Sequence, residues 1–91
     1  MVRITAVTPV EGFRVLLHFT DGTSKEVDLE YYLVGPIFEP IRSNLPYFQS
    51  VRVDPELGTI VWDNGADIDP DVLYHDRHPD RPQEVEQEAA S

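Results

Sequence analysis

Two alternating stretches joined by Asp21-Gly22 constrain this chain more than anything else in it. Over residues 13–20, Phe13, Val15, Leu17 and Phe19 fall on one side of an extended backbone, with Arg14, Leu16, His18 and Thr20 on the other. A half-buried strand has this period of two. Asp-Gly tolerates the positive φ angles of a tight hairpin turn, so the chain should fold back into a strand over Ser24–Leu29, with Val27 and Leu29 toward the core. Ahead of this pair, Val2, Ile4 and Ala6 alternate with Arg3 and Thr5. Thr8-Pro9 stops that strand and Glu11-Gly12 supplies a turn. The expected result is an antiparallel meander of three strands.

After Glu30 the period changes. Tyr31, Tyr32 and Leu33 lead to a break at Gly35-Pro36, and Ile37, Phe38 and Ile41 then recur at spacings that suit a short helix. Pro36 and Pro40 are tolerable in a first turn, where no amide donor is required. Leu45 and Phe48 predict a second single turn with Pro46 at its first position. Segments this short form only by packing, so Phe38, Ile41, Leu45 and Phe48 are expected on the sheet. Val51 and Val53 begin a fourth strand. Asp54-Pro55-Glu56-Leu57-Gly58 reads as a turn, and Thr59-Ile60-Val61-Trp62 as a fifth strand. No connection has the dozen or more helical residues of a parallel crossover. The fold class is therefore α+β: one antiparallel sheet of about five strands, made of the meander, a helical insertion and a hairpin.

A chain of 91 residues supports a single small core, expected over residues 1–75. Residues 76–91 hold almost no apolar side chain besides proline and alanine, and predict a disordered acidic tail, with a short helix over 82–90 as the alternative. The formal charge of −10 is uneven: residues 1–60 carry eight acidic and five basic side chains, residues 61–91 nine and two. Such acidity repels phosphate backbones and argues against direct nucleic-acid binding. No apolar run approaches the roughly 20 residues of a membrane span, and the N-terminus lacks a signal-peptide layout. A cytoplasmic location is expected. The absence of cysteine excludes disulfides, thiolate metal sites and cysteine nucleophiles.

The densest chemical feature is Asp63-Asn64-Gly65-Ala66-Asp67-Ile68-Asp69-Pro70-Asp71. Started at Asp67, it fails as an EF-hand loop, because Val72 stands at the glycine position and His78 at the glutamate position. Asn64-Gly65 reads as a turn, and Asp67 or Asp69 as the cap of a helical turn around Pro70-Asp71-Val72-Leu73. His75 and His78, three apart beside Asp71, Asp76 and Asp80, resemble a transition-metal pair in a segment expected to lose order. His18 reads as a solvated strand histidine. No nucleophile elbow, zinc-protease helix or phosphate loop is present. An enzyme is not expected, and neither is a cofactor or a resident metal.

Gly58-Thr59-Ile60-Val61-Trp62, then Asn64-Gly65-Ala66-Asp67-Ile68, Pro70 and Leu73-Tyr74, resemble the signature of a bacterial family of small uncharacterised domains, domain of unknown function 2442. Val7-Thr8-Pro9, Phe19-Thr20-Asp21-Gly22, Asp28-Leu29 and Gly35-Pro36-Ile37-Phe38 resemble it too, so the similarity spans roughly Met1 to Tyr74. Asp63 departs from it, standing where the family usually has proline. The resemblance implies an α+β fold and no established activity. Some larger members carry a C-terminal helix-turn-helix domain, and members are often encoded beside a second small domain, as in toxin–antitoxin pairs. The expectation is a non-enzymatic protein–protein interaction module, antitoxin-like, with a small basic partner; homo-oligomerisation is left open. Its candidate surface is Trp62, Asp63, Asn64, Asp67, Asp69, Asp71 and Tyr74, with the aromatics as anchors and the carboxylates as rim. The alternative is a regulatory domain that binds a small molecule or metal on the same loop.

Overall fold

In the computed structural model, residues 2–76 are described; the expected tail beyond Asp76 and its alternative helix lie outside the described residues. The first three strands, β1 (Ile4–Pro9), β2 (Arg14–Phe19) and β3 (Ser24–Asp28), form an antiparallel sheet in the order β1-β2-β3. Val15, Leu17, Phe19 and Val27 are buried along one face, as the alternation in β2 and β3 predicts. The hairpin works differently from the expected tight turn. Only Gly22 takes a positive φ, at +90°, while the Asp21 carboxylate accepts from the Thr23 amide at 3.0 Å and hydroxyl at 2.6 Å. The loop therefore holds three residues between the paired Phe19 and Thr23, with glycine in the left-handed position.

β1 corrects the expected alternation. Its register against β2 slips between Ile4 and Ala6, so that Ile4 faces Phe19 and Ala6 faces His18. Thr5 is the extra residue of a β-bulge, which moves the following side chains to the opposite face. Val7, opposite Leu17, packs on the core in the place expected of Ala6.

The expected sheet of about five strands is not what forms. β4 (Arg52–Asp54), β5 (Thr59–Val61) and a short β6 (Asp67–Ile68) make a second three-stranded antiparallel sheet in the order β4-β5-β6. β6 reads in the sequence as loop because it has two residues, too few to show a period. The helical insertion separates β3 from β4 along the chain, and the second sheet instead meets the first beside β1. There Ile4 N–H donates to the Gly58 carbonyl at 2.9 Å. Gly58 is buried at φ +73°, and a Cβ on it would lie 2.5 Å from Arg3 Cβ. Glycine is required at this junction for both reasons.

Between the sheets run a 3-10 turn over Leu29–Tyr32, another over Pro36–Phe38, α1 (Glu39–Arg42) and α2 (Leu45–Phe48). Pro40 and Pro46 each occupy a second helical position, where a missing amide is harmless. Ile41 and Phe48 are fully buried and Phe38 half-buried, but Leu45, expected in the core, is 41% exposed. Asn44 caps α2 by accepting from Tyr47 N at 3.2 Å, and this fixes Leu45 in the first turn pointing away from the sheets. A single core unites both sheets and the insertion, built on Trp62, Phe48, Leu17, Leu29, Leu33, Ile41, Ile60 and Leu73.

Candidate functional site

Trp62 leaves β5 pointing inward. Its indole is 1% exposed, and Nε1 donates to the Phe48 carbonyl at 3.0 Å. Phe38 meets it edge-on at 6.0 Å between ring centroids, and Phe48 lies tilted at 6.1 Å. Phe13 stacks edge-on against Phe48 at 5.1 Å, which ties the first sheet to the same cluster. Trp62 is thus a core residue joining the second sheet to α2, and it offers no anchor to a partner.

Asn64 holds the turn behind it. Its side-chain carbonyl accepts from Ala66 N at 3.1 Å, and its side-chain amide donates to the Ile37 carbonyl at 2.9 Å. Gly65 sits at φ +93° and donates to the Trp62 carbonyl, while Trp62 N–H donates to Ala66 O at 3.0 Å. This closes the chain tightly enough to set Ile60 opposite Ile68 and Val61 opposite Asp67. Asp63 lies within the turn with its side chain exposed, where it pairs with Arg52 of the neighbouring strand.

The remaining carboxylates take separate places. Asp67 projects from β6 on the side opposite buried Ile68. Asp69 is the N-cap of α3 (Pro70–Tyr74), accepting from Asp71 N at 2.8 Å, with Pro70 at the first helical position. Asp71 lies exposed in the first turn beside Val72, which is 45% exposed, while Leu73 turns inward. None of Asp67, Asp69 and Asp71 has a cationic partner among the described residues.

Tyr74 is half-buried and structural. Its ring meets Phe19 edge-on at 5.0 Å, and its hydroxyl donates to Asp21 Oδ2 at 2.6 Å. Bonds from the Thr23 hydroxyl, then from Tyr74, hold the Asp21 carboxyl below the usual carboxylate range, and the Asp21 carboxylate pushes the Tyr74 phenol up. Lys25, the sole lysine of the sequence, donates to the carbonyls of Tyr74 at 2.8 Å and Asp76 at 3.2 Å. The Tyr32 hydroxyl bonds to the Asp76 carboxylate, and Asp76, expected at the start of the tail, is buried. Asp76 is thereby held against β3 and the 3-10 turn over Leu29–Tyr32. Sequence reasoning had no signal for Lys25 or Tyr32 here, because each bond spans more than 40 residues.

A family model described as Protein of unknown function (DUF2442) matches residues 4–79 of the chain. The chain belongs to the DUF2442 family. No curated protein and no solved structure matches it.

In this DUF2442 domain, the residues that carry the resemblance are consumed largely by the fold. Trp62 fills the core, Asn64 and Gly65 build the turn, Asp69 and Pro70 start α3, and Tyr74 docks it. Among the described residues, no three His, Asp or Glu side chains are arranged to hold a metal ion. A half-open cleft of about 250 Å³ lies where the sheets meet, lined by Arg3, Ile4, Thr5, Thr20, Val53, Pro55 and Gly58. Its polar groups are largely engaged. Arg3 reaches the carbonyls of Pro55 and Glu56, Thr20 Oγ1 accepts from Arg3 N, and the Thr5 hydroxyl donates to His18 O. No helix among the described residues is long and apolar enough to cross a membrane.

Proposed function

We propose that this domain is a non-enzymatic interaction module that binds a small basic protein, in the manner of the acidic half of a toxin–antitoxin pair. The observation that carries this reading is the exposed trio Asp67, Asp69 and Asp71, without a cation among the described residues, and with exposed Val72 beside it. Every described arginine is already committed. Arg14, Arg42 and Arg52 pair with Glu11 and Glu26, Glu30 and Asp63, and Arg3 binds backbone carbonyls. The charge left on β6 and α3 is therefore available to an external cation. Such charge accelerates encounter and orients a basic partner, while a small apolar contact excludes water at the centre. Trp62 and Asp63 drop out of the expected surface, the first because it is buried and the second because Arg52 neutralises it.

The test is capture from host lysate with the tagged wild type beside an Asp67→Lys/Asp71→Lys variant. Asp69 is left intact because it caps α3. The expected result is one small basic protein retained at low salt by the wild type, released as salt rises, and absent with a variant of unchanged melting temperature. Equal capture by both forms, or capture insensitive to salt, refutes the reading.

A further inference from the structure

Asn64-Gly65 carries a chemistry that the turn itself does not use. Asparagine is among the thermolabile side chains, and the lability is covalent. The amide nitrogen of the following residue, once deprotonated, attacks the side-chain Cγ and closes a five-membered succinimide ring. Glycine is the most permissive residue to follow, because no Cβ shields its nitrogen and its backbone is free to adopt what the ring demands. The chain has two asparagines, and both are exposed. Asn44 is followed by Leu45, whose branched side chain crowds the attacking nitrogen, whereas Asn64 is followed by Gly65.

The folded turn restrains each group this reaction needs. Asn64 Oδ1 accepts from Ala66 N at 3.1 Å and Nδ2 donates to the Ile37 carbonyl at 2.9 Å, so the side-chain amide is tied at both ends to different parts of the fold. Gly65 N–H donates to the Trp62 carbonyl at 3.1 Å, which keeps its proton engaged. Buried Trp62 anchors the base of the turn in the core. Attack requires the Gly65 proton to leave and the Cγ amide to swing its face onto the nitrogen. Both steps break bonds that the closed turn makes.

We propose that Asn64-Gly65 is a fold-gated deamidation site, intact while the turn is closed and converted irreversibly when it opens. In the open turn the Gly65 nitrogen gives its proton to solvent base and forms a bond to Asn64 Cγ. The Cγ–Nδ2 bond breaks, and the nitrogen takes up a proton and leaves as ammonia. Water then adds at one of the two ring carbonyls. One addition gives aspartate at position 64 and the other isoaspartate, with one water consumed and one ammonia released overall. Neither product restores the tie to the insertion. A carboxylate there sets a charged acceptor against the Ile37 carbonyl, where a donor stood. Isoaspartate also adds a carbon to the main chain between Trp62 and Ala66, whose hydrogen bond sets the pairing of β5 with β6. Local openings of this turn therefore leave a permanent covalent record.

The test incubates the full chain at mildly alkaline pH, folded in buffer and unfolded in guanidinium chloride. Mass spectrometry follows the gain from amide to acid, and fragmentation places it. In the denaturant Asn64 should convert well ahead of Asn44. In the folded chain Asn64 should convert at least about tenfold more slowly, since its rate scales with the fraction of open turns. Gly65→Ala, read only in the denaturant, should slow the conversion toward that of Asn44. The converted chain, once separated, should melt about 4–8 °C lower, the shift of roughly one lost hydrogen bond in a domain of this size. Equal rates in the folded and unfolded chain overturn the gating. Asn64 that stays intact in the denaturant, Asn44 that keeps pace with it, or a converted chain with an unchanged Tm overturns the site.

Discussion

Replacing Trp62 with phenylalanine separates the core role of this residue from any role at a surface. The substitution removes the Nε1 bond to the Phe48 carbonyl, 3.0 Å long and buried. That carbonyl also accepts from Val51 N at 3.1 Å, so it keeps one partner and the loss is near the ordinary net value of about 1 kcal/mol. The smaller ring also forfeits roughly 1 kcal/mol of transfer free energy. It leaves a gap of about 40 Å³, worth roughly another 1 kcal/mol at about 24 cal/mol per Å³. The sum is about 3 kcal/mol, against a total stability of roughly 5–10 kcal/mol for a domain of this size. That corresponds to a fall in Tm on the order of 10–20 °C. Because Trp62 is the sole tryptophan, the assay is urea unfolding followed by far-UV circular dichroism rather than fluorescence. A loss below about 1 kcal/mol would refute the reasoning, since the bond and the ring contacts together exceed that value.

Three further outcomes follow from the geometry. Gly58→Ala should destabilise by about 2–4 kcal/mol, because φ of +73° is strained for alanine and its Cβ would meet Arg3 at 2.5 Å; unfolding with the slope unchanged checks it. Asn64→Ala should cost about 1–2 kcal/mol through loss of the bonds to Ala66 N and Ile37 O, while Asn64→Asp keeps the first and should recover part of the loss in the same melt. The Asp21–Tyr74 bond makes stability pH-dependent at both ends. Asp21 is held below its ordinary value in the folded state, so its contribution is present above the unfolded carboxylate pKa and fades as pH falls through the lowered one. Tyr74 is raised above the usual phenol value, so its contribution is present below the unfolded phenol pKa and fades as pH rises through the raised one. Tyr74→Phe should flatten the alkaline limb of a Tm-against-pH profile; an unaltered limb would count against the bond.

The division between sequence and tertiary structure follows the range of the interactions. The meander, the Asn64-Gly65 turn and the Asp69 cap were legible because each is set by residues within a few positions of one another, through alternation, turn chemistry and capping. The bulge at Thr5 was not, since it depends on which β1 residue meets Phe19 across the sheet. Nor was the split into two sheets, which the contact of Gly58 with Arg3 and Ile4 decides. The candidate surface divided in the same way. Residue types marked Trp62, Tyr74 and the carboxylates as special, but a tryptophan in a motif serves equally as core or as anchor. Only the packing of Phe38 and Phe48 around the indole, and of Tyr74 onto Asp21, assigned both aromatics to the fold and left Asp67, Asp69 and Asp71 outside. The sequence by itself determined the local elements and the overall charge. Tertiary structure decided which side chains remain exposed, because exposure depends on neighbours brought from distant parts of the chain.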